Sequence, residues 1–236
     1  MADQEWRRIA GFRVVISAPG YAPPPRPPGY LRARMAGMTG VVLMMGGAIA
    51  VGVAACAQVH APQPSAAAAG VIGPAGRGPS LPRSEPVSVD IPAISVNSAL
   101  LHLGLNPDGT IQVPSLYARP DQAAWYKYSA TPGQTGASVI EGHVDTRQGP
   151  AVFFRLGALR PGNHVDVTLA DGVVAVFRVT AVRRYPKSNF PTRAIYGTTD
   201  YAALHLITCG GAFDSASGHY LSTTVVFASL TSSRRA

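Results

Sequence analysis

From Val87 onward, apolar and polar positions alternate in short runs, the period-2 signature of half-buried strands. VSVDI (87–91) alternates cleanly. ASVIE (137–141) follows a Pro132-Gly133 turn and stops just before His143. VDVTL (165–169) and VVAVFRV (173–179) flank Asp171-Gly172, which predicts a hairpin with a type I′ turn. LHLIT (204–208) runs into Cys209, and TTVVFASL (223–230) is the last apolar run. Pro114, Pro132, Pro161, Pro186 and Pro191 punctuate the connections. Helical spacing is scarce, and AVFFRLGAL (151–159) is the one short helix the pattern suggests. Many short strands with Gly/Pro turns predict an all-β barrel or sandwich over 86–231, and closure into a barrel removes exposed edges. Residues 232–236 read as a polar tail.

Upstream the pattern changes. Residues 35–59 carry no charged side chain. As a helix they would span about 37 Å, enough for a hydrocarbon core of about 30 Å. Arg26, Arg32 and Arg34 precede the stretch and the next basic residue is Arg77, so the positive-inside rule puts residues 1–34 in the cytoplasm and 60–236 outside. The expectation is a single membrane helix ahead of an extracellular domain. Val53-Ala-Ala-Cys56 also resembles a lipobox, which would make Cys56 a lipidated anchor instead; the uncleaved helix is the favoured reading. Residues 1–34 form an Arg/Pro-rich tail. Residues 60–85, rich in Ala, Pro, Gly and Ser, read as a linker that holds the domain off the membrane.

Composition excludes several classes. The 236 residues are 47% hydrophobic, which rules out wholesale disorder. The 25 Gly and 21 Pro follow no Gly-X-Y period, so the chain is not collagenous. Two cysteines cannot staple a small scaffold. The net charge of +8 suggests nucleic-acid binding until it is mapped: six Arg lie in residues 1–34, and no basic stripe with interleaved aromatics follows. No nucleic-acid partner is expected.

Cys56 lies in or beside the membrane, so Cys209 stands as a lone thiol in an oxidising compartment, a circumstance that calls for a reason. It ends an apolar strand and is followed by Gly210-Gly211, whose N–H groups are positioned to meet a developing oxyanion. A buried inert thiol followed by a plain turn is the alternative reading. The partner for a reactive thiol would be one of six histidines. His60 lies in the linker, His102 and His164 at surface positions, His205 mid-strand facing away from Leu204 and Leu206, and His219 in the turn before the last strand. His143, at the strand-to-loop junction EGHVD (141–145), fits a Cys–His pair best.

VIEGHVD (139–145) and LITCGGAFD (206–214), with 65 residues between His143 and Cys209, resemble the sortase family, most nearly its class F or E members. VDIPAISVNSAL, NPDGTIQVP (106–114), AWY (124–126), TPGQTG (131–136) and GPAVFFRL (149–156) extend the resemblance over about residues 86–230. The resemblance implies a closed eight-stranded β-barrel with Cys209 and His143 on adjacent strand ends. It implies cysteine transpeptidation of an LPXTG-like sorting signal on secreted proteins, with a peptidoglycan precursor or pilin amine as acceptor and no cofactor. One departure stands out. The arginine expected about a dozen residues after the cysteine is missing, and Thr223 occupies that place. Thr223 with the glycine amides, or Arg183, Arg184 or Arg193, would have to substitute; otherwise the barrel is catalytically weak or silent and binds envelope peptides. Asp145 is read either as orienting His143 or as an exposed loop carboxylate. An L,D-transpeptidase also couples Cys with His, but this cysteine lacks the compact motif of those enzymes.

Overall fold

The computed structural model describes residues 60–75 and 80–236. The six predicted runs fall in strands β1 (Pro86–Ile91), β4 (Gly136–Glu141), β7 (His164–Leu169), β8 (Val173–Pro186), β9 (Ala202–Asp214) and β10 (His219–Arg235), and two strands that the pattern did not predict, β2 (Val96–Leu103) and β3 (Ala123–Tyr126), join them. They close into a barrel in the order β1-β2-β3-β4-β9-β10-β8-β7, so no long edge remains unpaired. The pairs β2–β3 and β4–β9 are parallel and the rest are antiparallel. A parallel pair needs a long crossover; the one joining β4 to β9 contains the β7–β8 hairpin. A two-stranded ribbon, β5 (Asp145–Thr146) with β6 (Gly149–Pro150), follows His143.

Period-2 alternation sorts side chains into two cores. Trp125, Ile140, Phe153, Phe177, Leu204, Leu206 and Val226 fill the barrel. Val139, Ile207, Val225 and Phe227 face outward and are roofed by the β8–β9 connection through Ile195, with Tyr185, Phe190 and Tyr196 at the margin. That connection holds a 3-10 turn, Lys187–Asn189, and a short helix, Thr192–Tyr196. β4 and the first half of β9 are buried on both faces because one face lines the barrel and the other lies under this roof.

Four expectations need correction. The helix over 151–159 is only a 3-10 turn, Leu156–Ala158. The Val152 and Phe153 N–H groups are directed to the Pro120 and His143 carbonyls, so no helical ladder starts there. The 171–172 hairpin is not type I′. The Gly172 N–H bonds the Leu169 carbonyl, and only Gly172 has positive φ (+78°), giving a type I turn closed by a left-handed glycine. Residues 232–236 are not a free tail: β10 continues to Arg235, pairing with β8 back to Val173, and Arg234 meets Asp166 at 2.7 Å. The first part of the supposed linker is packed. Ala68 is fully buried in the barrel core, the Val71 and Ala75 N–H groups bond Thr180 O and Ser229 Oγ, and Arg183 donates to the Ala69 and Gly70 carbonyls. Small residues without periodicity read as flexible, yet here their backbone docks. The expected membrane helix, 35–59, and Cys56 lie outside the described residues; among those described, no helix is long and apolar enough to cross a membrane.

Gly172→Ala is expected to cost about 1–2 kcal/mol of stability, because a Cβ there meets nothing within 4 Å and the loss is backbone strain alone. Urea denaturation checks it: an unchanged midpoint would refute the turn assignment.

Candidate active site

β4 and β9 run parallel in register from Gly136↔Ala202 to Glu141↔Ile207. Past the last pair, Gly142 N–H donates to Ile207 O (3.1 Å) and Thr208 Oγ1 donates to Gly142 O (2.8 Å). His143 and Cys209 come next on their strands, each two residues beyond the Glu141↔Ile207 pair. The register therefore brings both to the place where the β4–β9 pairing ends: His143 lies just past β4, whereas Cys209 does not end its strand as expected, because pairing with β10 carries β9 on through Gly210-Gly211 to Asp214. Alternation puts Cys209 on the outer face with His205 and Ile207. His205 is structural: its Nδ1 meets Ile195 O at 2.7 Å and its ring packs on Phe227.

His143 is fixed from three sides. Its Nε2 donates to the Pro114 carbonyl at 2.6 Å, from the loop after β2. Its own carbonyl accepts from Phe153 N–H (2.9 Å), and the Val144 carbonyl accepts from Ala151 N–H (3.0 Å). With Nε2 protonated toward a carbonyl, Nδ1 is the nitrogen left to exchange protons. Burial lowers the imidazole pKa, while the Pro114 carbonyl and the Asp145 charge oppose it. Asp145 is half-buried and accepts a short hydrogen bond from Tyr220 Oη, rather than being an exposed loop carboxylate.

Cys209 is free and partly exposed. Burial pushes its thiol pKa up, and the charges of Glu141 and Asp145 add to that. The Lys187 ammonium nearby pulls it down. Thr223 is buried and is the direct cross-strand partner of Cys209, so the place expected for an arginine faces the thiol and holds a hydroxyl. Two of the three expected arginines are engaged with the 60–75 segment. Arg183 holds the Ala69 and Gly70 carbonyls, Arg184 Nη1 donates to Gln63 Oε1 (3.0 Å), and Arg193 is exposed. The Gly211 N–H is also engaged, donating to Gln63 Oε1 at 3.1 Å, which removes it as an oxyanion donor.

Glu141 is buried two residues before His143 and accepts from Tyr196 Oη at 2.8 Å. Burial pushes its pKa up to about 7, against the lowering effect of that hydrogen bond. Sequence reasoning passed over Glu141, Tyr196, Tyr220 and Lys187. Glu141 had a signal, a carboxylate ending an otherwise apolar strand; Lys187 had only its rarity, being one of two lysines. Among the described residues, no group of three or more His, Cys, Asp or Glu side chains is arranged to hold a metal ion.

A barrel with a thiol and an imidazole where two neighbouring strands part fits a cysteine acyl-transfer enzyme. The family model described as sortase domain matches residues 89–231, more than half of the chain. The chain belongs to the sortase family. None of the curated proteins matches it. Among solved structures it is similar to Listeria monocytogenes sortase A, at 15% identity and TM-score 0.47, covering 65% of this chain and 90% of that one. It is similar to sortase C1 of Streptococcus agalactiae at 18% identity and TM-score 0.48, covering 61% and 66%. A lid mutant of Corynebacterium diphtheriae sortase A gives 21% identity and TM-score 0.47, covering 63% and 73%.

Proposed function

We propose that this chain is a membrane-anchored cysteine transpeptidase of the class F or E type, acting outside the membrane on sorting signals of secreted proteins. The observation that supports the reading is the parallel β4–β9 register, whose last pair, Glu141↔Ile207, lies two residues before both His143 and Cys209. Cys209 as thiolate attacks the threonine carbonyl of an LPXTG-like signal. The tetrahedral adduct collapses with loss of the C–N bond, and His143 gives its Nδ1 proton to the departing amine. The threonine is left as a thioester on Cys209. An amine from a peptidoglycan precursor or a pilin then attacks the thioester, His143 takes the proton, and the thiolate leaves. A thiol serves both halves because it is a good nucleophile and a good leaving group.

The membrane helix at 35–59 supplies the tether, with lipidation at Cys56 as the other anchor. A catalytically silent barrel that binds envelope peptides is the second reading, favoured by Thr223 in place of the arginine. The full-length chain in detergent, incubated with LPXTG-type peptides and an amine acceptor, tests both. Expected are a hydroxylamine-sensitive peptide adduct on Cys209 by mass spectrometry, a transfer product, and loss of both in Cys209→Ala. No adduct across a panel of sorting peptides, from a folded chain with a free thiol, would overturn the enzyme reading in favour of the second.

A further inference from the structure

Attack by a thiol on an amide builds negative charge on sulfur and then on the carbonyl oxygen, and a partly buried site needs a donor or a cation to hold it. The residue facing Cys209 across the sheet, Thr223, brings no charge. We infer that Lys187 is the missing cation of this site: its ammonium pairs with the Cys209 thiolate and then donates to the oxygen of the tetrahedral adduct. The inference rests on the transpeptidase reading and names a residue for it.

The sheet register places Lys187 there. Cys209 on β9 pairs with Thr223 on β10, and Thr223 pairs with Tyr185 on β8. These three side chains form one row on the outer face. Lys187 follows Tyr185 by two residues and opens the 3-10 turn that begins where β8 ends and packs against β10, the strand that carries Thr223. Lys187 is half-buried, and the nearby ammonium charge works to lower the thiol pKa. The groups near the thiol from the surrounding elements are Glu141 at the end of β4, Asp145 on β5 and Tyr220 on β10, with His143 just past the end of β4. Two of these are carboxylates that oppose a thiolate, which makes a nearby cation necessary to form one. The bonds made by Arg183, Arg184 and Gly211 direct them to the 60–75 segment instead.

The electron count is simple. Sγ forms a bond to the carbonyl carbon and the π pair moves to oxygen, where a Lys187 N–H donates without losing its proton. The pair returns, the C–N bond breaks, and its electrons leave on nitrogen with a proton from His143.

Lys187→Met and Lys187→Arg in the full-length chain test this with two readouts. The first needs no peptide: the rate of iodoacetamide alkylation at Cys209, followed against pH by peptide mapping so that Cys56 does not interfere. In Lys187→Met its inflection is expected to move up by about 1–3 pH units, while Lys187→Arg stays near wild type. The second is acylation by a sorting peptide. In Lys187→Met, kcat is expected to fall about 10²- to 10³-fold with KM little changed, and Lys187→Arg to recover most of it. A Met variant whose alkylation profile overlays wild type would overturn the inference. So would acyl transfer onto Lys187 itself, seen as a hydroxylamine-stable adduct. A wild-type chain that alkylates but accepts no peptide sinks the transpeptidase reading, and the alkylation profile still judges Lys187 by itself.

Discussion

Replacing His143 with alanine is expected to cut kcat for transpeptidation by about 10²- to 10⁴-fold, the usual worth of a positioned acid–base group. The proposed mechanism makes this imidazole the source of the proton for the leaving amine, and the fold invests heavily in holding it. The Pro114 carbonyl fixes Nε2, and the Phe153 and Ala151 amides fix the backbone on either side. Burial lowers the imidazole pKa below its ordinary value near 6.5, and burial raises the thiol. The thiolate–imidazolium pair is therefore the minor protonation state at every pH. Wild-type kcat/KM should trace a broad bell, with the imidazole setting the acid limb and the thiol the alkaline limb. In His143→Ala the bell should collapse to a single rise centred on the thiol. A variant that keeps the bell, measured with a fluorogenic sorting peptide, would remove His143 from the mechanism.

Glu141→Gln is expected to stabilise the protein by up to about 3 kcal/mol above pH 7 and to do little at pH 4. The buried carboxyl keeps its proton until about pH 7, whereas in the unfolded chain it ionises near 4.5. Between these values the folded state binds more protons than the unfolded state. Wild-type stability from this group is therefore full below about 4.5, falls as pH rises to about 7, and stays lower above it. Glutamine cannot ionise and still offers Tyr196 an acceptor, so the variant escapes the loss. Urea unfolding at pH 4, 6 and 8 checks this; an equal gain at all three would mean that packing, not ionisation, is responsible. The same substitution removes a negative charge that raises the Cys209 thiol, so above pH 7 the variant thiol should alkylate faster than wild type.

Much of the barrel is legible in the chain because its strands write their burial into a local period. ASVIE, VDVTL, VVAVFRV and TTVVFASL all lie within strands, and LHLIT leads into Cys209 as expected. The misreadings share one cause. In 151–159 the apolar spacing suits a helix, but amide bonds to Pro120 and His143, distant in sequence, capture the backbone. In 60–75 the composition suits a linker, but one alanine, Ala68, finds a place in the core. At Ser232–Arg235 every side chain is polar because the strand is solvated, yet its backbone pairs with β8.

The sequence by itself determined the strand-rich domain, singled out Cys209 with His143 as its candidate partner, and showed that no arginine stands about a dozen residues after that cysteine. Those are properties of residue identity and short-range order. Only the tertiary structure decided that β4 and β9 lie side by side in parallel, that Arg183 and Arg184 are engaged with the 60–75 segment, that Glu141 is buried with its pKa pushed up to about 7, and that the Lys187 turn packs against β10. Each of these depends on contacts between segments far apart in the chain, and on the dielectric environment they create, which no local pattern encodes.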